Sequence, residues 1–285
     1  MVTPLTSTRT DVLKDSGSAA LRRVQAQARY LFHSDEFAKL TNREPKSQAV
    51  QAALNRLVKQ GRIVLAMKRV GKWLIVPPEQ AHYGAPPVDW WLDDCLKDIE
   101  PHYYVALLSA AKHWGSAHYA LQTTQVMISQ ARPSLNIGRL HIEFVAKRDI
   151  ALTPTTRVRG SVAHLRVSTR EATLLDLVRH QASVGGIEAV ARITKDFSGT
   201  VTKKGLLEAL NALGQVLAAQ RLGFVFGHLG LSRYAEVVAD WLTGKRRSLQ
   251  WLEPATSQDA QAALLDERWN IRYTPEQEAI FQELT

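Results

Sequence analysis

The stretch RIVLAMKRVGKWLIV, residues 62–76, decides the fold of the first third of the chain, because two apolar runs meet there at the basic segment KRVGK. Strand-forming residues on both sides of a short turn predict a β-hairpin with buried strands. Such a hairpin has no structural need for Lys68, Arg69 and Lys72 at its tip. We therefore interpret these three cations as contacts to an anionic partner.

A helix is predicted upstream of the hairpin, over residues 18–31. Leu21, Val24, Ala28 and Leu31 follow one another at spacings of three, four and three residues. This is the spacing of the apolar side of an amphipathic helix. The hairpin strands are expected to pack on this helix and on those that follow it.

A second, short helix is predicted over residues 34–41. Ser34 can cap its first turn, and Phe37 and Leu40 are expected to face inward. Pro45 limits the helix, because the residue before a proline disfavours helical geometry.

A third helix is predicted within KSQAVQAALNRLVKQG, residues 46–61, with Pro45 suited to its first turn and Gly61 as its end. Its apolar stripe consists of Val50, Leu54, Leu57 and Val58. Helix, turn, helix and hairpin in this order are typical of a winged helix-turn-helix, whose third helix enters the major groove of DNA and whose hairpin is the wing. The predicted DNA contacts are Arg43, Lys46, Ser47, Gln48, Gln51, Asn55, Arg56, Lys68, Arg69 and Lys72.

These contacts are expected to have two roles. The wing cations would bind phosphates, which position the protein and make binding depend on salt. Arg43 and Lys46 at the turn would bind phosphates or base edges. Gln48 and Gln51 can each pair bidentately with adenine, and Ser47 can contact several bases.

The positive charge of the chain is concentrated in its first third. Residues 1–88 carry 14 lysines and arginines against 6 aspartates and glutamates, and residues 89–285 carry 22 against 21. Between the two parts lies PPEQAHYGAPP, residues 77–87, with four prolines and one glycine. We expect a winged-helix domain over residues 1–88, with residues 1–17 as a flexible tail, and a second domain over residues 89–285. Winged helices also bind protein partners, but the localised charge favours DNA.

The second part is predicted to mix helices and strands, so the fold class is α+β. VDWWLDDCLK and HYYVALLSAAKHWG have helical patterns, and LHIEFVAKRD has that of a strand. HLRVSTREATLLDLVRHQ is predicted as a strand followed by a helix, with Ser168 as the cap and Glu171 completing a capping box. Further helices are predicted over residues 205–220 and 232–243.

Over nearly its whole length the chain resembles the AbiEi family, antitoxins of type IV toxin–antitoxin (abortive infection) systems. The matching features are the N-terminal winged helix and then, in order, YYVALLSAAKHWG, LRVSTREATLLDLV, AAQRLGFVFGHLG and WNIRY. The resemblance implies a cytoplasmic repressor that binds DNA repeats upstream of its own operon. It also implies that the second domain counters a co-encoded nucleotidyltransferase-like toxin, with or without a stable complex, and it assigns no residue to that role.

No catalytic residue, metal site or cofactor is predicted. His113 and His118 are five residues apart and would lie on different faces of a helix. The segment GFVFGHLG lacks the GK[ST] ending of a phosphate-binding loop.

Two other functions stay open. Glu143 and Lys147 can share one face of a strand, which leaves a nuclease as an alternative, although their spacing differs from a Glu-x-Lys pair. A ligand-sensing regulator is the other, with Trp90, Trp91 and Trp114 lining a pocket. Lys203, Lys204, Arg246 and Arg247 are either further contacts to DNA or RNA or a solvated surface.

The composition points to a reducing compartment. The single cysteine, Cys95, excludes a disulfide framework and is expected in the core. The N-terminus MVTPLTSTRTDVLKD is polar where a signal peptide is apolar, and no apolar run approaches the length of a membrane span. We expect a cytoplasmic protein without a membrane partner.

Overall fold

The first part of the chain folds around a small antiparallel sheet. The computed structural model describes residues 8–116, 123–160, 162–254, 256, 259 and 261–285, with the backbone alone for residues 8–15. The elements of the first part are α1 (Thr8–Gln25), β1 (Leu31–His33), α2 (Ser34–Leu40), α3 (Gln48–Lys59), β2 (Ile63–Met67) and β3 (Lys72–Ile75).

The strand pairing of this part is consistent with the predicted winged helix. β3 lies between β1 and β2, and Leu74 is opposite both Leu31 and Val64. Phe37 and Leu54 from α2 and α3 are buried with Trp73 of β3 in one core. The hairpin predicted from residues 62–76 is confirmed.

The first helix differs from its prediction at both ends. α1 begins at Thr8, so the segment predicted as a flexible tail is helical from that residue, and residues 1–7 lie outside the described part. It ends at Gln25, after which Ala28 adopts a left-handed conformation with φ of 53°. Leu31 therefore opens strand β1 and does not continue the helical stripe, because pairing with β3 outweighs the local helical spacing.

The starts of the next two helices, α2 and α3, also differ from their predictions. Ser34 is the first residue of α2 and provides no cap; its Oγ accepts a hydrogen bond from Trp73 Nε1 at 2.9 Å. Ser47 is the cap of α3, and its Oγ accepts from the Val50 amide at 3.3 Å. Val58, predicted in the apolar stripe, is 43% exposed.

The second part combines a mixed sheet with a group of helices, so the α+β class is confirmed. Its elements are α4 (Leu92–Leu96), β4 (Tyr104–Val105), α5 (Leu107–His113), β5 (Thr123–Ile128), β6 (Leu135–Ile137), β7 (Leu140–Ala146), β8 (Thr155–Arg159), β9 (His164–Ser168), α6 (Arg170–Arg179), α7 (Gly186–Phe197), α8 (Lys203–Leu213), α9 (Val216–His228), α10 (Ser232–Leu242), β10 (Gln250–Trp251), β11 (Leu264–Asp266), β12 (Ile271–Tyr273) and α11 (Pro275–Leu284). The main sheet has the order β6-β7-β5-β4-β9-β8, and β10, β12 and β11 form a small second sheet.

Several predictions for this part need correction. HYYVALLSAAKHWG is not helical throughout, because Tyr104 and Val105 form β4 between β5 and β9. Thr169, and not Ser168, caps α6. The predicted capping box is absent at this described helix start, because the Glu171 carboxylate accepts from the Thr202 amide at 2.9 Å. Gly214, with φ of 60°, separates the single helix predicted over residues 205–220 into α8 and α9.

The wing sheet shares a core with the second part. Leu31, Ala66 and Leu74 are buried in the same cluster as Trp91 and Leu92. The turn-rich segment 77–87 therefore connects two parts that pack on each other. In the described portion of the chain, no helix combines the length and the apolar character needed to cross a membrane.

Candidate nucleic-acid interface

Helix α3 has one buried side and one polar side. Val50, Leu54 and Leu57 are buried against the rest of the winged helix. The opposite side, which we call the α3 polar face, is exposed and consists of Gln48, Gln51, Asn55 and Arg56. The amphipathic spacing explains this division, because residues three and four positions apart share a face.

The amide side chains on the α3 polar face bond to each other. Gln51 Nε2 donates to Asn55 Oδ1 at 2.9 Å, one helical turn away. Gln51 keeps its carbonyl oxygen and a second amide hydrogen, which is the pair that recognises adenine. The contact therefore orients Gln51 and leaves its base-reading atoms available.

Arg43, in the turn before α3, lies near Arg56 of the α3 polar face. Arg43 is half-buried, and its Nη2 contacts Ser16 Oγ at 3.4 Å, whereas its Nη1 is buried with no hydrogen-bond partner among the described residues. Burial and the neighbouring charge of Arg56 lower the pKa of Arg43. Two adjacent guanidinium groups repel each other, and a phosphate bound near both would relieve that repulsion.

The turn before α3 contributes one exposed cation and one cap. Lys46 is exposed and has a left-handed backbone, with φ of 58°. Ser47, predicted to contact bases, uses its Oγ to cap α3. A base contact from Ser47 would have to share that oxygen with the Val50 amide.

The wing turn comprises residues 68–71. Lys68 and Arg69 are exposed in it, and Gly71 has φ of 62°. The Ser34 amide donates to the Gly71 carbonyl at 3.0 Å, which fixes the turn beside the first residue of α2. A side chain at position 71 would meet Ser34 Oγ at 3.0 Å, so glycine suits both the conformation and the close approach.

The structure contradicts the prediction for Lys72. Its side chain is 2% exposed, and its Nζ donates to the carbonyls of Asp94 at 3.2 Å and Cys95 at 2.9 Å, with the Asp98 carboxylate at 3.4 Å. Lys72 therefore joins the wing to α4 and does not reach DNA. Burial also raises the pKa of the adjacent Cys95 thiol to about 11.

A buried ionic cluster in the second part was not predicted. Lys147 Nζ is 2.7 Å from Asp176 Oδ1 and 3.0 Å from the Tyr104 hydroxyl, which donates to Asp176 Oδ2 at 2.8 Å. The Lys147 and Asp176 side chains are 1% and 0% exposed. No local pattern in the sequence indicates this cluster, because Tyr104 in β4, Lys147 just after β7 and Asp176 in α6 meet only in the tertiary structure.

This cluster bears on the nuclease alternative. Lys147 is committed to Asp176, whereas the Glu143 carboxylate accepts from Gln125 Nε2 at 3.1 Å. The two groups therefore do not form a common site. No group of three or more His, Cys, Asp or Glu residues that could hold a metal ion occurs in the described portion.

The tryptophans proposed to line a ligand pocket have structural contacts. Trp91 is fully buried and donates to the Pro86 carbonyl, and Trp114 donates to the Ser168 carbonyl at 2.8 Å. Trp90 packs on Tyr30 with ring centroids 4.5 Å apart. A nearby cavity of about 380 Å³ is lined by Val88, Asp89, Val105, Ser109, Lys112, His113, Thr123, Thr124, Leu165 and Val167. His118 lies outside the described residues.

The fold is a mixed α+β architecture, and its first part is consistent with a winged helix. Residues 104–227 match the family model described as the AbiEi antitoxin C-terminal domain. This match supports membership of the AbiEi antitoxin family and an antitoxin role in a toxin–antitoxin system.

The chain is similar in overall fold to a solved structure. The crystal structure of the RV2827C protein from Mycobacterium tuberculosis aligns with a TM-score of 0.65 at 15% sequence identity. The alignment covers 95% of this chain and 94% of that chain. No curated protein sequence matches.

Proposed function

We propose that this antitoxin represses its own operon by binding upstream DNA repeats through the winged helix. We further propose that residues 89–285 counter a co-encoded nucleotidyltransferase-like toxin. The observation that carries the DNA-binding proposal is the exposed α3 polar face, which lies in the one part of the sequence with a large excess of positive charge.

We expect some of these residues to recognise DNA bases and the others to bind phosphates that position the protein on the DNA. Gln48, Gln51 and Asn55 would face base edges in the major groove. Arg56, together with Lys46, Lys68, Arg69 and the half-buried Arg43, would bind phosphates on either side. Lys72 has no part in the interface, because its ammonium group is used inside the protein.

A titration of the full chain tests the DNA-binding proposal. Native DNA from upstream of the gene is compared with a scrambled duplex of equal length at several salt concentrations. We expect preference for the native DNA and a steep salt dependence. Equal affinity for both duplexes would contradict sequence-specific repression and favour a protein or RNA partner for the winged helix.

The antitoxin proposal needs a separate test. Co-expression of the full chain with the toxin encoded beside it should restore growth, and a variant with both Lys68 and Arg69 replaced by alanine should restore it equally. If that variant failed to restore growth while remaining folded, neutralisation would depend on the wing. If the wild type failed, the choice of toxin would be wrong.

A further inference from the structure

A small cavity lies between helices α1 and α3 and shares Arg56 with the α3 polar face. It has a volume of about 160 Å³ and is lined by Gly17, Ser18, Ala53, Arg56, Leu57, Gln60 and Arg62. None of these lining residues is acidic, and two of them are arginines. We call this cavity the α1–α3 pocket.

Three arginines approach the part of α1 that borders the pocket. Arg62 Nη1 donates to Ser18 Oγ at 2.6 Å. Arg43 Nη2 donates to Ser16 Oγ at 3.4 Å. Arg56 Nε donates to a carbonyl one turn back in α3 at 3.3 Å, a bond that does not use its two terminal nitrogens. Each guanidinium group has five N–H donors, more than these bonds to described residues require.

The charges around the pocket repel one another. Burial and the charge of Arg56 lower the pKa of Arg43, and Arg56 and Arg62 line the same pocket. The C-terminal end of α3 favours cations, which offsets part of this repulsion. An anion bound among the three guanidinium groups would offset the rest and would accept their remaining hydrogens.

The size and charge of the pocket match a phosphate group. Its volume exceeds the about 10–15 Å³ that one water needs and is below the about 300 Å³ of pockets that hold drug-sized ligands. A terminal phosphate carries three acceptor oxygens and nearly two negative charges at neutral pH. A backbone phosphate of DNA carries only one charge. Three guanidinium groups therefore suit a terminal phosphate better than a backbone phosphate.

Gly17 leaves one wall of the pocket without a side chain. It lies within α1, where glycine is less favourable than alanine. A Cβ at this position would meet Leu57 at 3.7 Å and Phe37 at 3.8 Å, which are ordinary contact distances, so packing does not require glycine. Because Gly17 and Leu57 both line the pocket, a methyl group between them would narrow it.

We propose that the α1–α3 pocket binds a terminal phosphate group, as inorganic phosphate or on a small phosphorylated molecule, and that this ligand competes with DNA for Arg56. The competition rests on the proposed DNA binding, whereas the ligand site does not. A ligand that occupies Arg56 lowers the affinity for DNA, and DNA lowers the affinity for the ligand by the same factor. Repression is then weakest when the ligand is abundant.

The ligand site is tested by calorimetric titration of the full chain with inorganic phosphate and, separately, with ribose 5-phosphate at constant ionic strength. The probe that binds more tightly identifies the source of the phosphate group. Arg62→Ala should weaken binding of both probes at least about tenfold, the effect of losing one charge-assisted hydrogen bond. Arg23→Ala is the matched control and should match wild type, because Arg23 is exposed on α1 and does not line the pocket.

A second variant, Gly17→Ala, separates ligand binding from stability. It should keep or raise the melting temperature, because alanine is the better helix former, and it should weaken phosphate binding by narrowing the pocket. The proposal would be overturned if neither probe bound to wild type. Equal binding by wild type, Arg62→Ala and Gly17→Ala would overturn it as well.

The competition is tested by titrating DNA at constant ionic strength with and without phosphate. Phosphate should lower the affinity of wild type for the native duplex and leave that of Arg62→Ala nearly unchanged. If free phosphate did not bind and Arg62→Ala reduced the salt slope by nearly one, the pocket would hold a DNA backbone phosphate and the proposal would be wrong. Phosphate binding without any change in DNA affinity would disprove the competition. If wild type failed to distinguish native from scrambled DNA, repression would be disproved, yet the titration without DNA would still test the ligand site.

Discussion

The exposed cations of the winged helix and the buried Lys147 of the second part use positive charge in opposite ways. In the winged helix, Lys68, Arg69 and Arg56 are exposed. In the second part, Lys147 is buried between Asp176 and the Tyr104 hydroxyl, with all three groups in hydrogen-bond contact. An exposed cation keeps its binding capacity for a partner, whereas a buried one must have its charge satisfied inside the protein.

Lys72 shows which property separates the exposed cations from the buried ones. By sequence it belongs to the basic wing, and by environment it belongs to the second part, because its ammonium group is enclosed by α4. The division therefore follows the tertiary contacts and does not follow the change in composition near residue 88.

The largest expected effect is on the buried cluster. Asp176→Ala leaves the Lys147 charge uncompensated and should destabilise the protein by about 3–5 kcal/mol. The loss is measured by chemical denaturation, as a lower denaturant concentration at the unfolding midpoint with an unchanged m value. Glu188→Ala, which removes an exposed ion pair, is the control and should cost less than about 1 kcal/mol. Similar losses in the two variants would remove the distinction between buried and exposed charge.

The next effect compares two lysines of the same hairpin. Lys72→Met leaves buried carbonyls without a donor and should cost about 1–3 kcal/mol of stability. Lys68→Met should change stability by less than about 0.5 kcal/mol and reduce the salt slope of DNA binding by nearly one. If the Lys72 variant had normal stability and a reduced salt slope, Lys72 would have to be a DNA contact after all.

A smaller effect is expected on the protein's discrimination between DNA sequences. Replacing Gln48 and Gln51 by alanine should lower the discrimination between native and scrambled DNA by roughly 1–3 kcal/mol for each lost bidentate pair. The salt slope should stay at its wild-type value, because neither side chain is charged. Replacing Lys68 and Arg69 should instead weaken binding to both duplexes alike. Identical behaviour of the two pairs would contradict the separate roles.

The smallest effect is a pH dependence confined to the second part. Burial alone would raise the pKa of Asp266, but hydrogen bonds from His228 and the Trp269 amide lower it below its ordinary value. A carboxyl with a lowered folded pKa contributes stability above its unfolded pKa of about 3.9 and loses it as pH falls through the folded value. Asp266→Asn should therefore flatten the acid limb of the stability profile, measured by denaturation at stepwise lower pH. An acid limb identical to that of wild type would show that the carboxyl contributes nothing.

Local pattern was sufficient for many elements of the fold. The spacing of Val50, Leu54 and Leu57 predicted the buried side of α3, and the two apolar runs around residues 68–71 predicted the wing. Helix and strand periodicity are properties of neighbouring residues, so they can be read without knowledge of distant contacts. The polar face of α3 was predictable for the same reason, because it is what remains when the apolar stripe is buried.

Three of the errors involve partners distant in sequence. Leu31 has helical spacing but forms a strand, because β3 is available to pair with it. Ser34 was expected to cap α2 and instead accepts a hydrogen bond from Trp73. Glu171 was expected to complete a capping box and instead accepts from Thr202.

The sequence by itself determined the α+β class, the winged-helix order of elements and the concentration of positive charge in residues 1–88, because these depend on composition and on spacing over a few residues. Only the tertiary structure decided which cations are free to bind. It buried Lys72 under α4, paired Lys147 with Asp176 and placed Arg56 and Arg62 around one pocket. The physical reason is that the availability of a charge depends on the acceptors around it, and folding brings these from positions far along the chain.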